Sequence, residues 1–271
     1  MSATLIQVPY DLGREGVGVG RGAPAIARRL EARVPAVRIV KRPDRFSNEV
    51  GASMSVVREL ASVVRATVDE GCFPLVIAGN CHSSLGTVTG LGSEVGVIWF
   101  DAHADFNTPD TTRSGFFDGC ALAMLTGTGW SALRSGLASV REENVVLIGA
   151  CDLEQAEVRR LRESPIARVA SGEPLDAALD DLSKRVDSLY LHVDLDVLDP
   201  SVGRANRYAA EGGLTTAEVS RAIAQVGQRL AIAGAALTAY APECDPEGSV
   251  LAAADAIVGQ IEAVIPIKAG T

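Results

Sequence analysis

The stretch GVIWFDAHADFN, residues 96–107, decides the fold class of this chain. Its first half is an apolar run, which is typical of a strand buried on both faces of a parallel sheet. Its second half places Asp101, His103 and Asp105 two residues apart, directly after the predicted strand. Ligands collect at the carboxyl ends of such strands. The stretch therefore predicts an α/β protein with a site at that edge of its sheet.

The rest of the chain repeats this alternation of short β-branched runs and longer Ala-, Leu- and Arg-rich segments, which indicates one domain over residues 1–271 with a parallel sheet covered on both faces. The predicted strands are Thr4–Val8, Val37–Val40, Pro74–Ala78, Val95–Phe100, Asn144–Ile148, Ser188–Val193 and Ala235–Ala239. The predicted helices are Ala23–Ala32, Ser53–Glu70, Leu85–Leu91, Ala121–Thr126, Leu153–Arg162, Leu175–Val186, Thr216–Leu230 and Leu251–Val264. Thr215 and Glu218 have the spacing of a capping box.

Composition excludes several classes of partner. The net charge of −9 argues against nucleic acid and against an anionic membrane surface. The N-terminus lacks a basic segment followed by an apolar one, and no window reaches the roughly 18 apolar residues of a membrane span. Five scattered cysteines without a CxxC pair are typical of reduced thiols. These features predict a cytoplasmic protein that binds neither nucleic acid nor a membrane.

Potential metal ligands also follow other predicted strands. PLVIAGNCHSS places His82 after a strand, SLYLHVDLDVLDP places Asp194 and Asp196, and LTAYAPECDP places Glu243. Residues two apart on a strand face the same side, so Asp194 and Asp196 converge, with their backbones about 7 Å apart. In the first stretch, Asp101 and Asp105 would be about 13 Å apart if extended, so both reach one site only if the chain curls near Ala104.

Charge arithmetic favours two divalent ions. Burial of the four unpaired carboxylates of Asp101, Asp105, Asp194 and Asp196 would raise their pKa values until some took up protons, whereas two divalent cations cancel four negative charges. A carboxylate-rich set with few imidazoles suits manganese better than zinc. Two ions about 3.5–4 Å apart convert a bridging water to hydroxide, which attacks an electrophilic carbon. Solvated polar residues at strand ends are the alternative.

These motifs resemble those of the arginase, or ureohydrolase, family. GNCHSS is similar to the family's GGDHS, DAHADFNTP to DAHxDxNTP, HVDLDVLDP to SxDxDxxDP, and APECDP to the glutamate-bearing EVNP. The segment VPYDLGREGVGVGRGAPAIARRL resembles the family's early Gly-rich segment, so the similarity spans almost the whole chain. It implies a three-layer α/β/α fold with a central, mainly parallel sheet of about eight strands. It also implies a binuclear manganese centre that hydrolyses a guanidino or amidino carbon.

The resemblance assigns roles residue by residue. One manganese would be held or bridged by His82, Asp101, Asp105 and Asp196, and the other completed by His103, Asp101, Asp194 and Asp196. Asp105 and Glu243 are the expected catalytic carboxylates, and Glu243 matches the glutamate that pairs with the substrate guanidinium. As in arginases, Asn107 and Ser114 would bind an amino-acid carboxylate and Glu154 the α-amino group. These three favour a whole α-amino acid over agmatine, although each also fits a solvated loop position.

Three departures from the family leave the substrate open. Asp118, in SGFFDG, stands where arginases have a proton-shuttling histidine, and an ionised aspartate is a poor proton donor. Asp118 would instead accept a hydrogen bond from a hydroxylated substrate, or act as an acid if burial raised its pKa. His192 replaces a serine and either takes over the shuttle or packs behind the ligands. Cys81 replaces an aspartate and either lines the pocket or serves as a buried small hydrophobe, as does Cys244.

The leading hypothesis is therefore an amidinohydrolase of Nω-hydroxy-L-arginine or of L-arginine, with manganese as cofactor. Hydroxyarginine amidinohydrolases of antibiotic biosynthesis are similar in length and pattern. The alternatives are another amidine substrate (formiminoglutamate, guanidinobutyrate or agmatine), a zinc deacetylase, or a non-catalytic binding protein that kept the metal site. The sequence leaves monomer and homo-oligomer undecided.

Overall fold

The computed structural model describes residues 2–42, 46, 48–92 and 94–265, which form alternating strands and helices. The strands are β1 (Ala3–Val8), β2 (Tyr10–Asp11), β3 (Arg14–Glu15), β4 (Val37–Ile39), β5 (Phe73–Ala78), β6 (Gly96–Phe100), β7 (Val145–Ile148), β8 (Ala167–Val169), β9 (Ser188–Asp194) and β10 (Ala231–Thr238). The helices are α1 (Gly22–Leu30), α2 (Glu49–Asp69), α3 (Ser83–Leu91), α4 (Ala121–Leu125), α5 (Gln155–Glu163), α6 (Asp176–Leu182), α7 (Thr216–Arg229) and α8 (Ser249–Val264).

Eight strands form the central sheet, in the order β4-β1-β5-β10-β9-β6-β7-β8, and every neighbouring pair is parallel. The strands β2 and β3 form a separate antiparallel hairpin. Side chains of β6 alternate between two buried clusters, with Ile98 and Phe100 on one face and Val97 and Trp99 on the other. Residues of α1, α6, α7 and α8 cover the first face, and residues of α2, α3 and α4 cover the second. The predicted three-layer α/β/α fold is confirmed.

Each predicted strand and helix overlaps an observed one, with differences at the ends. Three observed strands were not predicted: the two-residue hairpin strands β2 and β3, and β8 at the sheet edge, whose three residues, Ala-Arg-Val, contain no apolar run. The capping box of α7 is present, since Glu218 N donates to Thr215 Oγ1 at 3.3 Å and Thr215 N donates to Glu218 Oε2 at 2.8 Å. Among the helices of the described residues, none combines the length and apolarity that a membrane crossing requires.

The register of the central strands brings the carboxyl ends of β6, β9 and β10 together. Phe100 of β6 pairs with Val193 of β9, so the next residues, Asp101 and Asp194, leave the sheet side by side. Thr238, the last residue of β10, pairs with Asp194 from the other side. Backbone pairing of buried apolar strands therefore fixes where the acidic residues meet.

Candidate metal centre

Asp101, His103 and Asp196 meet at the carboxyl ends of β6 and β9. One potential ligand atom of each lies within 4.8 Å of the others. His103 Nδ1 is 3.3 Å from Asp101 Oδ1 and 3.6 Å from Asp196 Oδ1. The second oxygens of the carboxylates are fixed from behind: Trp99 Nε1 donates to Asp101 Oδ2 at 3.0 Å, and Asn206 Nδ2 donates to Asp196 Oδ2 at 3.0 Å. Such outer partners orient metal ligands. The other oxygen of each carboxylate faces His103, whose backbone N–H also donates to Asp101 Oδ1 at 2.8 Å.

One oxygen in this cluster has no hydrogen bond. Asp196 Oδ1 is buried and accepts no hydrogen bond among the residues that the structure describes, since His103 Nδ1, at 3.6 Å, lies beyond hydrogen-bond distance. A buried carboxylate oxygen without a partner is costly, and a cation is the natural way to satisfy it. The oxygen and nitrogen donors around it match the ligands that a divalent ion takes in such sites. The donor set therefore fits a bound metal ion.

The electrostatics of the cluster point the same way. Burial raises the pKa of Asp105 and of Asp194 well above the usual aspartate value, and neighbouring carboxylates raise both further. Burial opposes the charged form of His103, but the carboxylates of Asp101 and Asp196 outweigh this and raise its pKa. Without a cation, the site must therefore hold extra protons to offset its negative charge. Divalent ions would replace those protons.

A second cluster shares Asp101 with the first. It consists of Cys81, Asp101 and Asp194, again with ligand atoms within 4.8 Å of one another. All three residues are buried. Cys81 Sγ lies 2.9 Å from Asp194 Oδ2 and 3.4 Å from Thr238 Oγ1. The strand ends thus present two adjoining groups of potential ligands, joined by one carboxylate.

Asp105 reaches the buried interior because the chain curls after β6. Its φ of +48° is left-handed, a conformation that non-glycine residues rarely adopt. Its carbonyl oxygen accepts hydrogen bonds from the backbone N–H groups of Leu122 and Ala123 at 3.0 and 3.1 Å. The first turn of α4 therefore holds the curl in place. The predicted bend near Ala104 falls one residue later, at Asp105 itself.

His82 does not join the other predicted ligands. Its Nδ1 lies 2.7 Å from Asp118 Oδ1, and its Nε2 lies 3.3 Å from Met124 Sδ. The ring stacks on Phe117, with centroids 4.2 Å apart. Both ring nitrogens therefore have partners that belong to neither cluster of potential ligands. His82 thus lies outside both clusters, and its ligand role stays a prediction; the side chain of this loop that joins a cluster is that of Cys81.

Comparison with known proteins identifies the family. The profile of the Arginase family matches residues 1–261. An arginase from Bacillus caldovelox is 30% identical over 95% of this chain and 97% of its own length. An arginase from Brevibacillus brevis is 33% identical over 73% of this chain and 76% of its own. The crystal structure of arginase from Bacillus subtilis superposes with a TM-score of 0.83 over 96% of this chain and 98% of that one, at 27% identity.

The chain belongs to the arginase family. The resemblance seen in its motifs is thereby confirmed. Within this family, the positions that depart from the expected pattern are the informative ones, and the structure gives each of them a definite environment.

Asp118, at the position of the arginase histidine, binds the loop that follows β5. Its carboxylate accepts hydrogen bonds from Asn80 Nδ2, Cys81 N and His82 N at 2.8–3.1 Å, and from His82 Nδ1. These four donors match the roughly four lone-pair positions of a carboxylate. Burial opposes its charged form, but the hydrogen bonds from His82 and its neighbours lower its pKa. The expected roles as an acid or as an acceptor for a substrate hydroxyl stay predictions, and either would require Asp118 to give up one of these hydrogen bonds.

His192 packs behind the ligands and does not face the site as a shuttle. It is fully buried and stacks on Trp99 at a centroid distance of 3.7 Å. Its Nδ1 lies 2.9 Å from Tyr190 Oη, and its Nε2 lies 3.4 Å from Thr238 Oγ1. Burial lowers its pKa to about 3, so the imidazole is neutral at pH 7. Of the two roles that the sequence left open, the packing role fits this environment.

The predicted substrate-binding residues lie in the segments that follow β6, β7 and β10. Asn107 is buried, and its Oδ1 accepts a hydrogen bond from Thr111 Oγ1 at 3.0 Å. Ser114 is exposed. Glu154 is the N-cap of α5 and has a buried Oε2 that no donor reaches within the described part of the chain. Glu243 is exposed in a short turn after β10. Within the described residues, no hydrogen bond or ion pair joins these four side chains to one another, so a joint role would be mediated by a bound ligand.

Sequence reasoning missed two supports of the site. Asn206 donates to Asp196 and also to the Ala239 carbonyl at 2.9 Å, and its spacing from the Asp-rich motif gives no sign of this. Glu157 is buried and accepts from the backbone N–H groups of Phe106 and Glu154 at 3.1 and 3.0 Å. It joins the metal-ligand loop to α5. The capping-box spacing in LEQAE could have revealed Glu157.

Proposed function

We propose that this arginase-family chain is a single-domain, binuclear-metal hydrolase of the guanidino group of an α-amino acid. The preferred substrate is Nω-hydroxy-L-arginine, which yields hydroxyurea and ornithine, with L-arginine, which yields urea and ornithine, as the second candidate. The observation that carries this proposal is the strand-end cluster of Asp101, His103 and Asp196, with the unpartnered Oδ1 of Asp196. Five free thiols support a cytoplasmic location.

Five residues are proposed to hold the two ions, and manganese is the ion that the family implies: Asp101, His103, Asp105, Asp194 and Asp196. When bound, two such ions lower the pKa of a water molecule enough to provide a nucleophile near neutral pH. The protein keeps the ligands in place before the substrate arrives, because Trp99 and Asn206 already fix two of the carboxylates. This rigidity limits the reorganisation needed during the reaction.

Substrate recognition is proposed to come from the surrounding loops. Glu243, exposed in the short turn after β10, is proposed to accept two N–H groups of the planar guanidino group. The buried, unpartnered Oε2 of Glu154 is a natural acceptor for an α-ammonium group. Asn107 and Ser114 supply polar groups for the α-carboxylate. A substrate without an α-carboxylate, such as agmatine, would leave the last two residues without a ligand.

The preference for a hydroxylated substrate rests on proton transfer. The family's histidine is absent at position 118, Asp118 is saturated by the loop around His82, and His192 is buried with a pKa of about 3. None of these groups is a suitable proton carrier for a departing amine at pH 7. An N-hydroxyguanidine is much less basic than a guanidine, so it enters neutral and is attacked more easily. Its low basicity therefore makes the reaction less dependent on an imidazole that donates a proton to the departing group.

The test is a side-by-side measurement of initial rates on Nω-hydroxy-L-arginine and L-arginine with manganese-loaded protein, detecting ornithine. We expect a strong preference for the hydroxylated substrate. Equal efficiency on both would remove the support for that preference and leave an ordinary arginase activity. If neither substrate is turned over while metal and ligand bind stoichiometrically, the proposed activity is wrong and the chain is a binding protein.

A further inference from the structure

Cys81 is placed to act as the third ligand of the cluster that contains Asp101 and Asp194. It lies in the loop between β5 and α3 and is only 3% exposed. Its Sγ approaches Asp194 Oδ2 to 2.9 Å and forms a three-residue cluster with Asp101 and Asp194. The thiol therefore points at the carboxylates of two other strand ends. This placement differs from that of Cys120, which is equally buried but belongs to no such cluster among the described residues.

The orientation of the loop is fixed by Asp118. Its carboxylate accepts from the backbone N–H groups of Cys81 and His82 and from the imidazole of His82. These bonds hold the imidazole against Phe117 and Met124, and His82 belongs to neither cluster of potential ligands. Because the imidazole is held on that side, the thiol of the preceding residue faces the carboxylates.

Because Cys81 and not His82 joins the clustered carboxylates, we infer that Cys81 binds one of the two divalent ions as a thiolate. The other ligands of that ion would be Asp101 and Asp194. The inference rests on the proposed metal-dependent function and deepens it. On binding, the sulfur–metal bond replaces the S–H bond, and the proton leaves to solvent. Thiolate ligands favour softer ions, so this position should prefer zinc or cobalt over manganese, whereas the position of Asp101, His103 and Asp196 has only oxygen and nitrogen donors.

The simpler alternative is that the Cys81 thiol only donates a hydrogen bond to Asp194. A serine in its place would keep that hydrogen bond but could not supply sulfur to the ion. An aspartate would supply an oxygen donor instead. Cys81→Ser and Cys81→Asp therefore separate a sulfur ligand from a hydrogen-bond donor, and Cys120→Ala is the matched control for loss of a buried thiol.

The experiment loads the whole protein with cobalt and measures two quantities: the number of ions bound and the near-ultraviolet thiolate-to-cobalt charge-transfer band. We expect the band in the parent protein and in Cys120→Ala, and its loss in Cys81→Ser. In competition between zinc and manganese, Cys81→Asp should shift the preference towards manganese by at least about tenfold, since even neighbours of metal ligands change affinity by such factors.

Cobalt binding by the unsubstituted protein tests the role of Cys81 even if the variants do not fold. Two bound cobalt ions without a thiolate band would overturn the role of Cys81 and leave the proposed function intact. A band that persists in Cys81→Ser would also overturn it, because another thiol would be the ligand. If no cobalt, zinc or manganese binds, both the inference and the proposed metal-dependent function fail.

Discussion

The buried end of the site and its exposed rim are built in different ways. Asp101 directly follows β6, and Asp194 is the last residue of β9; pairing of fully buried residues sets the register of these two strands. A hydrogen bond from Trp99 Nε1 further fixes Asp101. Ser114 and Glu243 lie in exposed turns. The buried end is therefore preorganised by the fold, whereas the rim acquires its arrangement when it meets a substrate. Changes at the two places should have different consequences for metal content and for substrate affinity.

The largest effect is expected from Asp196→Ala at the buried end. Removal of this ligand should abolish stoichiometric metal binding and lower kcat/KM by at least about a thousandfold, because the ions supply several kcal/mol of charge stabilisation. Metal content and initial rates of the purified variant are the measurements. Asp187→Asn is the matched control, since Asp187 is exposed just before β9 begins, at the other end of the strand that leads to Asp196. Retention of both metal and full activity in Asp196→Ala would remove Asp196 from the ligand set.

A smaller effect, confined to the substrate, is expected at the rim from Glu243→Gln. The variant should bind metal normally and lose about 10- to 100-fold in kcat/KM, since a hydrogen bond to a charged group contributes about 1.5–3 kcal/mol. Glu247→Gln, an exposed glutamate four residues later, should change neither quantity. If Glu243→Gln loses its metal, or keeps its full rate, then the division between buried end and rim is wrong at this residue.

Asp118→Asn tests the support beneath the buried end. The amide keeps one acceptor oxygen but loses the charge that receives four hydrogen bonds, so we expect a loss of about 1.5–3 kcal/mol in the free energy of unfolding. Chemical denaturation monitored by circular dichroism measures it. Because the residue acts through the loop, turnover of arginine and of hydroxyarginine should fall by the same factor. A selective loss of hydroxyarginine turnover, with stability unchanged, would instead restore the direct substrate contact first expected for Asp118.

The sequence predicted the central strands well because local chemistry alone determines them. The run before Asp101 is apolar on both faces, and this pattern fits a buried parallel strand better than any other element. The meeting of Asp101 with Asp194 then follows from parallel pairing of neighbouring strand ends. Short β8 escaped prediction because tertiary pairing at the sheet edge, and not its own composition, makes it a strand.

The roles of Cys81 and His82 could not be predicted in this way. The two residues are adjacent, and which of them faces the carboxylates depends on hydrogen bonds from Asp118, which is 36 positions away from His82. The support from Asn206 likewise depends on a loop that no periodic pattern describes. Metal-ligand types were readable from motifs, but side-chain directions depended on partners distant in sequence.

The smallest predicted effect belongs to Ser114→Ala at the rim. Ser114 is exposed, and its Oγ accepts a hydrogen bond from Phe116 N at 3.1 Å, so its free form is already satisfied without substrate. Because water competes at this exposed position, loss of the hydrogen bond from the Ser114 hydroxyl to the substrate carboxylate should cost only about 0.5–1.5 kcal/mol, which corresponds to a rise of about two- to tenfold in KM with kcat unchanged. Steady-state kinetics on both substrates, with Ser135→Ala as an exposed control on another loop, measures this. A fall in kcat with unchanged KM would instead place Ser114 in the machinery of the buried end, since only groups that act in the transition state behave in that way.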